Sequence, residues 1–393
     1  MKNKKIKVLF VFGTRPEAIK MVPVIKEFER NKGRFNTRIC VTAQHRKMLD
    51  QVLELFNIEP HYDLDIMTKG QSLPNVTAGI LLRTTVIMEK ENPDIVFIQG
   101  DTTTTFAAAQ AAYYLKIPVA HIEAGLRTNN KYSPFPEEIN RRLTSVIADF
   151  HFAPTRKARE NLIAEGFRKS SIYVTGNTVI DALKAMVKRQ KPEDRRKILE
   201  MYFLEKWGLI LHKKAKNSRI ILVTGHRRES FGEGFQRICK ALRILAGNNP
   251  DVQIVYPVHL NPNVQEPVYS ILGNIDNIHL ISPLDYEPFI FLMNRADLIL
   301  TDSGGIQEEA PALKVPVLIM RDTSERPEGI EAGSAKLVGT DIKVIVAQAQ
   351  KLIDNGDKYK RASKTINPYG DGKASERIVR IISKHFGGKN ERC

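Results

Sequence analysis

The chain has 393 residues, more than one ordinary core holds, and about 150 residues per domain gives two or three domains, with two fitting best. Its composition, 42% hydrophobic and 26% charged, is that of a globular protein. No apolar run approaches the ~20 residues that span a bilayer. The net charge of +16 allows nucleic-acid or membrane-surface binding. The basic residues are interleaved with acids along the whole chain, however, so a field that attracts a phosphorylated substrate is expected, not a nucleic-acid groove.

The first strand is predicted from Ile6 to Val11. Lysines precede it, as in a signal peptide, but the apolar run is short and meets Gly13-Thr14-Arg15, not a small-residue cleavage site, so a cytoplasmic protein is expected. Thr14-Arg15-Pro16-Glu17 fits a capping box with proline in the first turn, opening a helix to about Arg30. Strands are predicted at Thr37–Thr42, Ile95–Gln99, Val119–Ile122, Phe150–Ala153 and Ile172–Val174. The polar stretch from Lys188 to Arg196 reads as a linker. The pattern then restarts with strands at Ile220–Val223, Gln253–Tyr256, Ile278–Ile281, Leu298–Leu300 and Val315–Ile319. Strands alternating with helices predict an α/β protein with two doubly wound, Rossmann-like domains, residues 1–187 and 188–372. A ligand is expected between them, at the carboxyl ends of the strands. Cys40, Cys239 and Cys393 are too few and too scattered for a disulfide framework or a zinc site.

Three acidic segments lie close together: Gly100-Asp101-Thr102, Glu123 after the strand PVAHI, and Glu137-Glu138 after two prolines. No metal-ligand pattern accompanies them, so proton transfer is the chemistry they suit. Asp101 also fits an N-cap, a position that lowers a carboxyl pKa. Glu137 and Glu138 could pair with Arg141 and Arg142 at i,i+4, which suits Glu138 better than Glu137. Acids sharing one pocket would repel and raise at least one pKa towards neutrality. Two further turns suit phosphate. Thr301-Asp302-Ser303-Gly304-Gly305 ends a strand and opens a helix, with Glu308 and Glu309 behind it as candidate ribose ligands. Gly13-Thr14-Arg15 offers a forked guanidinium at Arg15, with Lys20 one turn later. His226, beside Arg227 and Arg228 at a predicted strand end, loses its proton readily and suits a phosphate contact.

GTRPEAIKMVPVI, VTAQHRKMLDQVL, QGDTTTT, HIEAGLRT, YSPFPEEINRRL, TGHRRESFGEGF and TDSGGIQEEAP follow in this order from about Val8 to Asp341. The chain thereby resembles the non-hydrolysing UDP-N-acetylglucosamine 2-epimerases. The resemblance implies a glycosyltransferase-B type of fold, with residues 373–393 forming a helix that packs back on the first domain, plus a tail. It implies interconversion of UDP-GlcNAc and UDP-ManNAc without a cofactor, by elimination of UDP to 2-acetamidoglucal and re-addition. ManNAc made this way feeds cell-surface polysaccharides. The matching catalytic residues are Asp101, Glu123, Glu137 and His226, and which acid takes the C2 proton stays open. The matching nucleotide contacts are Arg15, Lys20, Ser303, Gly304 and Glu309. Arg227 and Gly305 join them from the turns above, and Arg321 and Glu325 are further candidates. Many members bind a second, activating UDP-GlcNAc, here implicating Gln44, His45, Gln71 and His259, although Lys47 and Gly70 depart from some members. A homodimer is usual in the family. The basic stretch 201–217 has no functional account. A UDP-sugar transferase on the same scaffold, a hydrolysing epimerase and a non-catalytic nucleotide-sugar-binding protein are the alternatives.

Overall fold

The computed structural model describes residues 5–43, 46–67, 70–211, 219–324, 326–354 and 367–387. The chain divides into two compact units, Met1–Ala182 with Tyr369–Cys393, and Leu183–Pro368.

The first unit is built on a parallel sheet of seven strands: β1 (Ile6–Phe12), β2 (Phe35–Val41), β3 (Tyr62–Asp63), β4 (Ile95–Gln99), β5 (Val119–Ile122), β6 (Phe150–Ala153) and β7 (Ile172–Val174). Their order is β3-β2-β1-β4-β5-β6-β7. Helices connect them: α1 (Arg15–Arg30), α2 (Arg46–Leu55), α3 (Leu73–Glu91), α4 (Thr103–Tyr114), α5 (Glu137–Ile147) and α6 (Arg156–Ala164), with α7 (Thr178–Arg189) following β7. Right-handed crossovers require such helices on both faces, so central strands are buried on both sides and read as unbroken apolar runs. All five residues of β4 and all four of β5 are buried. Phe10, Phe28, Phe97 and Phe152 stack or meet edge-on across this core, with centroids 5.0 to 6.2 Å apart. Alanines at 107, 108, 111 and 112 let α4 pack closely on its neighbours.

The second unit runs through α8 (Glu193–Trp207), β8 (Arg219–Thr224), α9 (Glu233–Asn248), β9 (Val252–Pro257), α10 (Pro262–Leu272), β10 (Ile278–Ile281), α11 (Tyr286–Arg295), β11 (Leu298–Thr301), α12 (Gly304–Ala312), β12 (Val317–Ile319), α13 (Pro327–Glu331), β13 (Ala335–Leu337) and α14 (Ile342–Asp354). Its six parallel strands are ordered β10-β9-β8-β11-β12-β13. A last helix, α15 (Ala374–Gly387), belongs to the first unit and packs on α1.

Both sheets reverse their strand order beside the first strand, between β1 and β4 and between β8 and β11. In sheets of this kind ligands usually bind beside such a reversal, at the carboxyl ends of the strands. Residues 188–196 are not an open linker. They hold the end of α7 and the first turn of α8, with Pro192 as N-cap and Glu193 and Asp194 in the first turn. The stretch is polar because an exposed helix face is polar, not because it lacks structure. The short strands β3 and β13 carry no apolar run that would reveal them.

Candidate active site

Arg15, Lys20 and Asp101 come from the strand–turn–helix junctions after β1 and β4, at the switch point, while Glu123 follows β5 and Glu137 opens α5. After β1, Gly13 is required for close approach: a Cβ there would lie 2.0 Å from Thr42 Oγ1. The expected capping box closes the turn, with Thr14 N donating to the Glu17 carboxylate at 2.8 Å. Glu17 also receives the Thr102 hydroxyl at 2.8 Å, which ties the β1 and β4 turns together. Arg15, half-buried at the start of α1, makes no ion pair among the described residues.

Thr102, not Asp101, caps α4: its hydroxyl oxygen accepts from Thr105 N at 3.2 Å. The Asp101 carboxylate instead meets Arg141 Nη2 at 2.8 Å. Its side chain keeps 27% exposure, an opening to a carboxyl otherwise surrounded by protein. Burial raises its pKa; Arg141 opposes the shift, Glu123 and Glu137 add to it by repulsion, and Lys20 lowers it. Repulsion was the expected cause, but desolvation is the larger one.

Glu123 follows β5 in the left-handed region, at φ +67°, a costly conformation for a residue with a side chain. Its Oε2 receives Lys20 Nζ at 2.5 Å and Asn177 Nδ2 at 2.9 Å. Lys20, expected as a phosphate cation, therefore sits on a carboxylate. Glu137 begins α5, and its Oε2 is buried with no hydrogen-bond partner among the described residues. The anticipated Glu137–Arg141 pair is absent because Arg141 turns to Asp101. Glu138 does pair with Arg142, at 3.1 Å, but it is fully buried and not a surface partner. Its carboxylate also accepts Thr128 N and Asn129 N, which holds the loop before α5.

In the second unit, β8 and β11 end side by side, and the Thr224 and Thr301 hydroxyls share a 2.6 Å hydrogen bond. Asp302 is fully buried. It accepts His226 N at 2.7 Å and Arg227 N at 2.8 Å, and its other oxygen lies 3.4 Å from His226 Nδ1. Burial lowers the His226 pKa; Asp302 resists, while Arg227 and His259 add to the lowering. The imidazole is thus neutral near pH 7, with burial and not the arginines as the main reason. The His259 ring lies nearly parallel to it, with centroids 5.4 Å apart. The Nε of Arg227 is buried and without a partner among the described residues.

Ser303 is the N-cap of α12, and its side chain makes no capping bond. Gly304 lies against Arg326, whose guanidinium carbon would be 3.1 Å from an added Cβ. Around Gly305 there is open space. Glu308, a candidate ribose ligand, is committed to Arg326 at 2.8 Å. Glu309 accepts from the Tyr286 hydroxyl at 3.3 Å. Arg321 is buried and forks onto Glu229 at 2.5 and 3.3 Å. Gln71 lies next to Ser72, the N-cap of α3. Gln44, His45, Glu325 and residues 212–217 of the basic stretch lie outside the described residues.

The structure thus gathers Lys20, Asp101, Glu123 and Glu137 in one unit, and His226, Arg227, Ser303 and Gly304 in the other. Sequence reasoning passed over Asn177 and the buried role of Asp302. Gly176-Asn177-Thr178, a glycine turn between a strand and a helix, carried the same signal as the turns that were noticed.

Comparison with known proteins gives the geometry its context. Residues 26–383 match the UDP-N-acetylglucosamine 2-epimerase family. The UDP-N-acetylglucosamine 2-epimerase of Campylobacter jejuni is 54% identical over 384 residues, covering 98% of both chains. That of Escherichia coli K12 is 52% identical over 380 residues, covering 97% of this chain and 99% of its own. Among solved structures, the Neisseria meningitidis UDP-GlcNAc 2-epimerase bound to UDP-GlcNAc is 49% identical, with a TM-score of 0.89 over 96% of this chain and 100% of its own. The two parallel-sheet units make the glycosyltransferase-B type of fold. Near-complete coverage at about half identity, on a fold that places acids and helix starts at both switch points, leads to one conclusion: the chain belongs to the UDP-N-acetylglucosamine 2-epimerase family.

Proposed function

We propose that this chain interconverts UDP-GlcNAc and UDP-ManNAc by inverting C2 of the sugar, without net hydrolysis. A carboxylate takes the C2 proton, the C1–O bond breaks with its electron pair leaving on UDP, and a C1=C2 double bond forms in 2-acetamidoglucal. UDP then adds back at C1 while a proton arrives on the opposite face of C2. The observation that carries this reading is the cluster of Asp101, Glu123 and Glu137, in which Asp101 has its pKa raised towards the working range of an acid/base group. The buried, unpartnered Oε2 of Glu137 and Nε of Arg227 support it as polar atoms that a ligand would satisfy. His226, neutral and braced by Asp302, would donate to the departing diphosphate.

Incubation with UDP-GlcNAc in deuterated water tests this by proton NMR. UDP-ManNAc with deuterium at C2 is expected. Free ManNAc would assign a hydrolase instead, and UDP release dependent on an added acceptor would assign a transferase. Rates measured against UDP-GlcNAc concentration test a second, activating molecule near His259, for which a sigmoidal curve is expected and a hyperbolic one would remove the idea.

We also propose that the chain pairs with a second copy through α3, α4 and α5. These helices pack side by side and leave Leu82, Val86, Tyr113, Tyr114, Leu143 and Val146 exposed. Light scattering should give twice the 44.5 kDa chain mass. The pair Leu143→Glu and Val146→Asp is expected to weaken association by at least about 100-fold, roughly 2.7 kcal/mol. A wild type that stays monomeric at micromolar concentration would end this proposal.

A further inference from the structure

The carboxylate of Glu123 is held by more than its lysine. Asn177 Nδ2 donates to the same Oε2 that receives Lys20, so one oxygen takes two donors, while Oε1 faces the Gly100 turn that leads into Asp101. Asn177 is itself fixed from every side. It is buried, and its Oδ1 accepts Val179 N at 3.1 Å, which sets the amide orientation and leaves Nδ2 for Glu123. Its backbone N donates to Tyr369 O at 2.7 Å. That carbonyl belongs to the segment that leads into α15. Gly176 and Gly370, both at positive φ, let the two backbones touch: a Cβ on Gly176 would lie 3.4 Å from Gly370 Cα. Two further ties clamp the junction. Asp181 accepts Ala374 N at 3.2 Å and Ser375 N at 2.8 Å, and Arg377 reaches Thr175 O at 2.9 Å.

We propose that Asn177 is a positioning residue for the epimerisation, orienting the Glu123 carboxylate, and that the Tyr369–Arg377 segment is the brace that holds Asn177 in place. The proposal rests on Glu123 being one of the reacting acids. A carboxylate at a left-handed backbone position on a strand end has few local restraints. Two donors on one oxygen fix its rotation and present the other oxygen to the Asp101 side. The restraint is long-range: the C-terminal segment sets a side chain of the first unit from about 190 positions away in the chain.

Asn177→Asp separates this role from a merely structural one. Aspartate caps a helix as well as asparagine does and keeps the backbone bond to Tyr369, but it offers an oxygen where Glu123 needs a donor. We expect kcat to fall at least 100-fold, with the KM for UDP-GlcNAc and the Kd for UDP changing less than threefold and the thermal midpoint holding within a few degrees. Asn177→Ala should lose less, about 10- to 100-fold, because it removes the donor without adding a charge; it also serves if the aspartate variant does not fold. Turnover of Asn177→Asp within threefold of the wild type overturns the proposal, as does a loss confined to KM. Glu123→Gln is measured alongside. If that variant is inactive while the Asn177 variants work normally, the positioning role fails and the assignment of Glu123 survives. If Glu123→Gln is itself active, the assignment fails, and the proposal with it.

Discussion

Asp101→Asn is expected to lower kcat for epimerisation by about 10²- to 10⁴-fold, the range of a general acid or base, while the protein stays at least as stable at pH 7. Two effects with one origin support this. Burial raises the Asp101 pKa, so its folded-state value lies above the unfolded one. The sign follows from linkage. Such a group favours the folded state below its unfolded pKa, and that contribution is lost as pH rises through the folded pKa. At pH 7 the ionised form therefore opposes folding, even with Arg141 at 2.8 Å. A neutral amide of the same shape removes that opposition together with the proton-transferring group. Kinetics and thermal denaturation of the same preparation check both halves. Asp101→Asn with near-normal kcat would remove Asp101 from the chemistry. A thermal midpoint many degrees lower would mean the Arg141 pair outweighs the desolvation.

His151→Phe is expected to remove one of two steep acid sensitivities in the first unit. His151 and His121 are neighbours in register on β6 and β5, both buried, with both Nδ1 atoms unpartnered among the described residues. Burial, aided by Arg127, lowers the His151 pKa to about 4. Burial lowers His121 to about 3, although its Nε2 lies 2.7 Å from Gly100 O. An unfolded histidine takes its proton near pH 6.5, so each contributes stability above that pH that is lost as the solution is acidified towards the folded value. The slope is about 1.4 kcal/mol per pH unit for each group. Between pH 6.5 and 4.5 the wild type should therefore lose about 2 kcal/mol relative to His151→Phe, since the slope is smaller near each pKa. Buried carboxylates with raised pKa values, Glu17 and Asp181 among them, act in the opposite direction in both proteins and cancel in the difference. Amide exchange along β6 reads this unit alone, which matters because a two-unit chain need not unfold in one step. Equal pH dependence in the two proteins would mean that His151 is already protonated when folded.

The strands were legible because parallel sheets bury both faces. LFVF, IVFIQ and IILV could lie nowhere but in a core. The exceptions are instructive: β3 (Tyr-Asp) and β13 (Ala-Lys-Leu) are short edge strands without an unbroken run of β-branched or aromatic residues. The acidic and glycine turns were legible for a related reason. Each is a local strand–turn–helix junction, and its residues follow one another in the chain. Asp101 was open to misreading as a cap because a sequence shows that a polar residue precedes a helix, not which of two neighbours turns inwards.

By itself the sequence determined two doubly wound sheets, the carboxylates at their strand ends and the family to which they belong, since each is written in contiguous words. The pairings were decided only in three dimensions. Lys20 reaches Glu123 across 103 positions, Asn177 across 54, and His226 meets Asp302 across 76. Such contacts depend on which loops the strand order brings side by side, and on burial, which alone makes a nearby charge strong enough to move a proton.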